Sequence, residues 1–231
     1  MQVATRTDVG RVRERNEDDH LVYEGRRLYV VADGLGGHPA GDVASRTAVR
    51  AVHVALTEAI DAGVDPARAL AGALHTAHET VIAAAHGEPD LRGMGSTAVL
   101  AHLSADEREL WVAHVGDSRA YLQRPDGLRQ VTTDHRAGGV FGNRLSQALG
   151  TPGTVAPDTV HLEVAAGDRV LLCSDGLTDM LDDDAIAARV ASGAAVDDVC
   201  GQLVRDALAR GGVDNITVVL VEVTGAPPVS R

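Results

Sequence analysis

The sequence predicts an α+β fold in which two mainly antiparallel sheets pack face to face and helices cover their outer sides. Three observations predict it. Two helical stretches follow the early strands, two more precede the last strand, and antiparallel strands with clear turn residues fill the middle. Elements segregated in this way pack as layers around a sheet-on-sheet core. Apolar residues make up 45% of the chain but aromatics only 2%, so the interior must be built from Val, Leu, Ile and Ala. The 231 residues suffice for one domain with its own core. We expect residues 1–223 to form it and 224–231 to be a tail or linker.

Residues 2–7 alternate and suit a first strand, and the polar run 8–19 suits a loop. Strands follow at 20–23 and 28–32. Asp33-Gly34-Leu35-Gly36-Gly37-His38 then places three glycines in six residues, which marks a tight backbone excursion. Residues 40–62 present Ala44, Ala48, Val52 and Ala55 on one helical face, and Gly63 stops the helix. Asp65 as N-cap and Pro66 at the first position open a second helix with Leu70, Ala73, Leu74, Ala77 and Val81 on one face. Its His75 and His78 are expected in solvent. Strands at 98–103, 110–115, 120–123 and 128–132, the last two joined by Pro125-Asp126-Gly127, are expected as one antiparallel meander. Strands near 160–164 and 170–173 follow, then helices over 184–190 and 198–210, and a last strand over 216–223.

The net charge of −12 argues against a nucleic-acid or anionic-membrane surface. Residues 1–10 lack a signal-peptide core, and no run approaches the roughly 20 apolar residues of a membrane span. The two cysteines, Cys173 and Cys200, lack metal-ligand spacing and suit a reducing compartment. The expectation is a cytoplasmic protein without membrane insertion.

The chemistry is written at the strand ends. Val170-Leu171-Leu172-Cys173-Ser174 runs into Asp175-Gly176. Leu28-Tyr29-Val30-Val31-Ala32 runs into Asp33-Gly34. Asp214-Asn215 stands directly before Ile216–Val221. A charge at the end of a buried strand is costly unless paired. An isolated Asp-Gly is ordinarily a turn, as Asp126-Gly127 is. Three acids on three buried strands instead suggest converging carboxylates neutralised by a divalent cation. The full acidic set is Glu17, Asp18, Asp33, Asp117, Asp175 and Asp214. Oxygen ligands without His or Cys select Mg²⁺ or Mn²⁺. Two such ions about 3.5–4 Å apart form a clamp for attack on phosphorus and lower the pKa of a water between them. Arg13, four residues before Glu17, could hold the phosphate.

Other phosphatase chemistries fail on spacing. A thiol phosphatase needs Cys-x5-Arg, but Asp179 and Asp206 occupy the arginine positions after Cys173 and Cys200. Asp182-Asp183-Asp184 has the shape of an aspartyl-phosphate motif but precedes a helix, where N-capping explains it. Gly34-Leu35-Gly36-Gly37 lacks the dinucleotide spacing.

The motifs then fall into a known order. Arg13 precedes Asn16-Glu17-Asp18. Asp33-Gly34-Leu35-Gly36-Gly37-His38, Gly95-Ser96-Thr97, Gly116-Asp117-Ser118-Arg119 and Thr133-Asp134-His135 come next. Ser174-Asp175-Gly176-Leu177 and Asp214-Asn215-Ile216-Thr217 close the series. In this the chain resembles the metal-dependent serine/threonine protein phosphatases of type 2C in their compact bacterial form. The resemblance implies an α-β-β-α sandwich with two Mn²⁺ or Mg²⁺ ions at one end. It implies that Asp33 bridges the ions and that Asp175 and Asp214 bind one of them. It implies that the Gly34 carbonyl would bind the other, with Glu17 acting there directly or through water, that Arg13 would hold the substrate phosphate, and that Asp18 would orient metal-bound water. In family members with a third, weaker metal, the position of Asp117 joins that of Asp175 at it. Two departures stand out. Leu35 stands where animal relatives carry a histidine proposed as general acid, so leaving-group protonation falls to His38 or water. Only residues 136–144 separate His135 from Leu145, where bacterial relatives usually carry a long helical flap.

The expected function is hydrolysis of phosphoserine and phosphothreonine in proteins by a water or hydroxide bridging two metals, without a phosphoenzyme. Expected partners are phosphorylated proteins, substrates of a bacterial serine/threonine kinase, with the chain a monomer. The rivals are a phosphatase dedicated to one regulatory partner, such as an anti-sigma antagonist, and a non-catalytic phosphoprotein-binding module.

Overall fold

The computed structural model describes residues 1–35, 40–137 and 144–225. In chain order the elements begin with β1 (Gln2–Asp8), β2 (Asp18–Tyr23), β3 (Leu28–Asp33), α1 (Gly41–Asp61) and α2 (Pro66–Ala85). The strands β4 (Ala98–Leu103), β5 (Glu109–Val115), β6 (Arg119–Arg124), β7 (Gly127–Gln130), β8 (Asp158–Glu163) and β9 (Arg169–Cys173) follow. The chain ends with α3 (Asp175–Thr178), α4 (Asp183–Val190), α5 (Val196–Ala209) and β10 (Ile216–Glu222). Among the described residues the strands form two five-stranded sheets, one ordered β1-β10-β9-β6-β7 and the other β2-β3-β4-β5-β8. Every paired neighbour is antiparallel. Helices flank the two sheets, as the layer argument predicts.

The core shows why the strands read as unbroken apolar runs. Along β3, Tyr29 and Val31 point between the sheets and meet Val170, Leu172 and Val219. Leu28, Val30 and Ala32 point the other way, onto Ala44, Ala48 and Val52 of α1 and Leu70 and Leu74 of α2. The first sheet is treated likewise, with Leu171, Cys173, Val218 and Leu220 packed on Val199, Leu203 and Ala207 of α5. A strand buried on both faces has no polar side to alternate with.

The helix starts follow their capping residues. The Asp65 side chain accepts a hydrogen bond from the Arg68 N–H at 3.1 Å, and Pro66 takes the first helical position. Asp182 accepts from the Ala185 N–H at 2.9 Å, so the acidic triplet 182–184 is a helix start and not a phosphorylation motif. Each such cap contributes about 1 kcal/mol.

Two expectations are corrected. The four middle strands are not one meander. β4 and β5 pair in one sheet, β6 and β7 in the other, and the chain changes sheets at Gly116-Asp117-Ser118. His78 is not in solvent. It is 6% exposed, its Nε2 bonds the Gly153 carbonyl at 3.0 Å, and its Nδ1 accepts the Gly150 N–H at 3.2 Å. Four residues after Leu74, it shares the face that α2 turns inward. Residues 226–231 of the expected tail, and His38, lie outside the described residues.

Candidate metal centre

The carboxylates converge because strand ends from both sheets meet at one end of the sandwich. β3 delivers Asp33, and its hairpin partner β2 sets Asp18 directly opposite. In the other sheet β9 and β10 are antiparallel neighbours, Cys173 lying opposite Val218. The exit of β9 and the entry of β10 are therefore adjacent, which brings Asp175 beside Asp214. Gly176 permits this closeness, since a side chain there would strike the Asn215 carbonyl. Gly34 is equally constrained, pressed between the carbonyls of Gly41 and Glu17.

The loop between β1 and β2 is held in place by Asn215, which is 3% exposed. Its Oδ1 accepts the Glu17 N–H at 2.7 Å, and its Nδ2 donates to the Val9 and Arg15 carbonyls, both at 2.9 Å. This single side chain positions both Arg13 and Glu17. The Glu17 carboxylate lies beside Gly41, in the first turn of α1, where the helix dipole favours negative charge. Asp33 is fixed through its backbone. Its N–H donates to Thr97 Oγ1 at 3.2 Å, Thr97 Oγ1 shares a hydrogen bond with Ser118 Oγ at 2.6 Å, and the Ser96 hydroxyl donates to the Asp33 carbonyl at 2.9 Å. The Ser174 hydroxyl donates to Asp18 Oδ2 at 2.8 Å and accepts the Thr217 N–H at 3.0 Å.

Arg13, Asp33, Asp117, Asp175 and Asp214 line a single cleft of about 440 Å³, with Leu35 at its side. Glu17 and Asp18 stand beside this group. All the acids expected at the site are thus brought together. Arg13 Nη2 lies 2.6 Å from Asp214 Oδ2.

Crowding has an electrostatic consequence. Burial, then the charges of Asp18 and Asp175, hold the Asp33 carboxyl well above the usual carboxylate range. Burial, then the charges of Asp117 and Asp179, push Asp175 up to about 7. Burial pushes Asp18 up to about 6, against the hydrogen bonds from Thr217 and Ser174. Burial also raises Glu17. Asp18 Oδ1 and Asp175 Oδ1 are buried with no hydrogen-bond partner among the described residues. Buried oxygens without donors, among carboxylates that resist ionising together, fit a divalent cation. The all-oxygen donor set fits Mg²⁺ or Mn²⁺.

A second cluster looks similar and does not fit a metal. His114, His135 and Asp158 bring three ligand-type atoms within 4.8 Å of one another. Yet the Gly116 N–H donates to His135 Nδ1 at 3.2 Å, which places the ring proton on Nε2, where it meets Asp158 Oδ2 at 3.3 Å. A metal at Nε2 would have to remove that proton and reverse the Gly116 contact. Asp134, from the same segment, is taken by Arg119 through bonds of 2.9 and 2.7 Å.

Several contributors escaped sequence reasoning. Asn215, Ser96, Thr97, Ser118 and Ser174 sit inside motifs quoted for their neighbours, and only their position beside an acid could have marked them. Arg136 escaped too. It lies 2.9 Å from Asp117 Oδ2.

Comparison with known proteins shows the family. A family model described as protein phosphatase 2C matches residues 10–209. The serine/threonine phosphatase stp of Listeria innocua serovar 6a is 37% identical over 243 aligned positions, covering 96% of both chains. The serine/threonine protein phosphatase PstP of Mycobacterium tuberculosis is 36% identical, over 96% of this chain and 45% of its own length. A crystal structure of the PstP catalytic domain with two manganese ions superposes with a TM-score of 0.82 at 36% identity, covering 96% of this chain and 98% of that one.

Proposed function

Because the chain belongs to the protein phosphatase 2C family, and is thereby a metal-dependent serine/threonine protein phosphatase, we propose that it hydrolyses phosphoserine and phosphothreonine by direct attack of water, with no phosphoenzyme. One observation carries the reading: Asp33, Asp175 and Asp214 meet from two sheets in a cleft that also holds Arg13. The two thiols are buried, which leaves no cysteine for a covalent route.

In this reading Asp33, Asp175 and Asp214, with Glu17 and the Gly34 carbonyl, would hold two Mn²⁺ or Mg²⁺ ions, Asp33 serving both. Bound there, the ions would supply a water acidic enough to attack at neutral pH and positive charge for the phosphoryl oxygens. Arg13 exchanges Asp214 for the incoming phosphate, whose oxygens a guanidinium grips in pairs. Asp18, oriented by Ser174, aligns the attacking water and accepts its proton. Leu35 offers no proton to the leaving oxygen, so water or His38 supplies it.

The working unit is one catalytic domain of residues 1–223, acting as a monomer on phosphorylated proteins. Its site of work is the cytoplasm of a bacterium with a serine/threonine kinase, which the two buried free thiols support. No helix among the described residues is long and apolar enough to cross a membrane. The short connection between His135 and Leu145 favours a narrow range of protein substrates.

The test is phosphate release from a phosphothreonine peptide with Mn²⁺, then with chelator, beside Asp33→Asn. Turnover that needs metal and disappears in the folded variant supports the reading. A folded protein that binds Mn²⁺ but releases no phosphate from any of a panel of phosphoproteins would overturn it.

A further inference from the structure

We propose that the Arg136 guanidinium takes the place of a third divalent cation beside Asp117, so that this phosphatase works with two ions and excludes a third. The inference rests on the two-ion reading above and goes beyond it.

The guanidinium lies among three carboxylates. Its Nη2 is 2.9 Å from Asp117 Oδ2 and 3.9 Å from Asp179 Oδ1, and its Nε is 3.6 Å from Asp134 Oδ2. Asp134 already has Arg119 as a bidentate partner, with Nη2 at 2.7 Å from Oδ2. The charge of Arg136 therefore falls mainly on Asp117 and Asp179, the two acids whose charges act most on Asp175.

The position is held by backbone as well as by charge. The Arg136 N–H donates to the Asp134 carbonyl at 2.9 Å, and Arg136 forms an antiparallel bridge with Leu145. On either side, the Ala137 N–H donates to the Arg144 carbonyl at 2.7 Å, and the Ser146 N–H donates to the His135 carbonyl at 2.8 Å. The chain returns so soon after His135 that Arg136 is clamped directly over Asp117. The Asp117 side chain is only 9% exposed, so its bond to a guanidinium is little weakened by solvent. A divalent ion on Asp117 would have to displace a cation held from two sides, or sit beside it against strong repulsion.

The experiment counts Mn²⁺ on the chelator-treated full chain by equilibrium dialysis up to millimolar metal. We expect two ions on the wild type, three on Arg136→Ala, and two again on Arg136→Lys and on the double variant Arg136→Ala with Asp117→Asn. Arg136→Gln serves if the alanine variant melts early. A wild type with three ions, the third lost in Asp117→Asn, would overturn the inference while leaving the two-ion centre standing. So would two ions on both Arg136→Ala and Arg136→Gln. A folded wild type that takes up no Mn²⁺ would refute the two-ion reading, and this inference with it.

Discussion

Loading the site with Mn²⁺ should expel protons, and more of them at pH 6 than at pH 8. Asp175 stands at about 7 and Asp18 at about 6, and Asp33 is held well above the usual range. At pH 6 about nine-tenths of Asp175 and half of Asp18 carry a proton, against about a tenth and almost none at pH 8. The difference is roughly 1.3 protons per chain, before any contribution from Asp33. The apparent affinity should therefore climb by at least about tenfold per pH unit near pH 6 and less steeply near pH 8. The sign for folding follows from the same shifts. A raised carboxyl keeps its proton in the folded chain after the unfolded chain has lost it. The metal-free protein should thus lose stability as pH rises from about 4, the unfolded value, through about 7. Titration calorimetry of Mn²⁺ in buffers of different ionisation enthalpy reads the proton count, and metal-free melting curves read the stability. An equal proton count at pH 6 and pH 8, or a metal-free melting temperature that rises across this window, would refute the electrostatic picture of the cluster.

Three further outcomes follow from single side chains. Asp175→Asn should lower turnover at least about 100-fold, about 2.7 kcal/mol of barrier, while the melting curve stays cooperative; phosphate release near the wild-type rate would sink its assignment as a ligand. Asn215→Ala removes three buried hydrogen bonds, costing roughly 3 kcal/mol, or about 6–12 °C in melting temperature for a chain of this size. It should also raise KM, since the loop carrying Arg13 loses its anchor, and a melting temperature within a degree of wild type would show that the anchor is idle. Burial pushes both Cys173 and Cys200 up to about 12, so native protein at pH 8 should resist iodoacetamide under conditions that fully label the urea-unfolded chain.

Much of the fold was legible because it is written in short local patterns. Buried strands announce themselves as apolar runs, and Asp65-Pro66 and Gly63 bracket helices through backbone chemistry. Asp33, Asp175 and Asp214 were legible for the same reason, each being an acid abutting a strand too apolar to tolerate it. What the pattern could not carry was partnership. The strands 98–103, 110–115, 119–124 and 127–130 have the right turns for a meander. Which sheet each pair joins depends on faces formed by residues far away in the chain. His78 was misread because α2 is buried over a wider arc than its aliphatic residues mark out. The roles of Asn215 and Arg136 were harder to read. Each acts on residues brought near only by the closed fold, Asn215 on a loop about 200 residues upstream and Arg136 on Asp117, where the chain crosses between the sheets.

The place of β10 bears on how the enzyme is made. It is the last of the described strands in chain order, yet it lies inside its sheet, between β1 and β9. Among the described residues β1 pairs only with β10, so the earliest of these strands waits for the latest. A nascent chain that has already emitted β2 to β5 holds four of the five strands of one sheet with α1 and α2, but the other stays open. Asp214 and Asn215 arrive with β10, so loop and carboxylates come into register only once that strand is made. A chain cut short before β10 carries most of the acids but lacks Asp214 and Asn215, so it cannot complete the cluster.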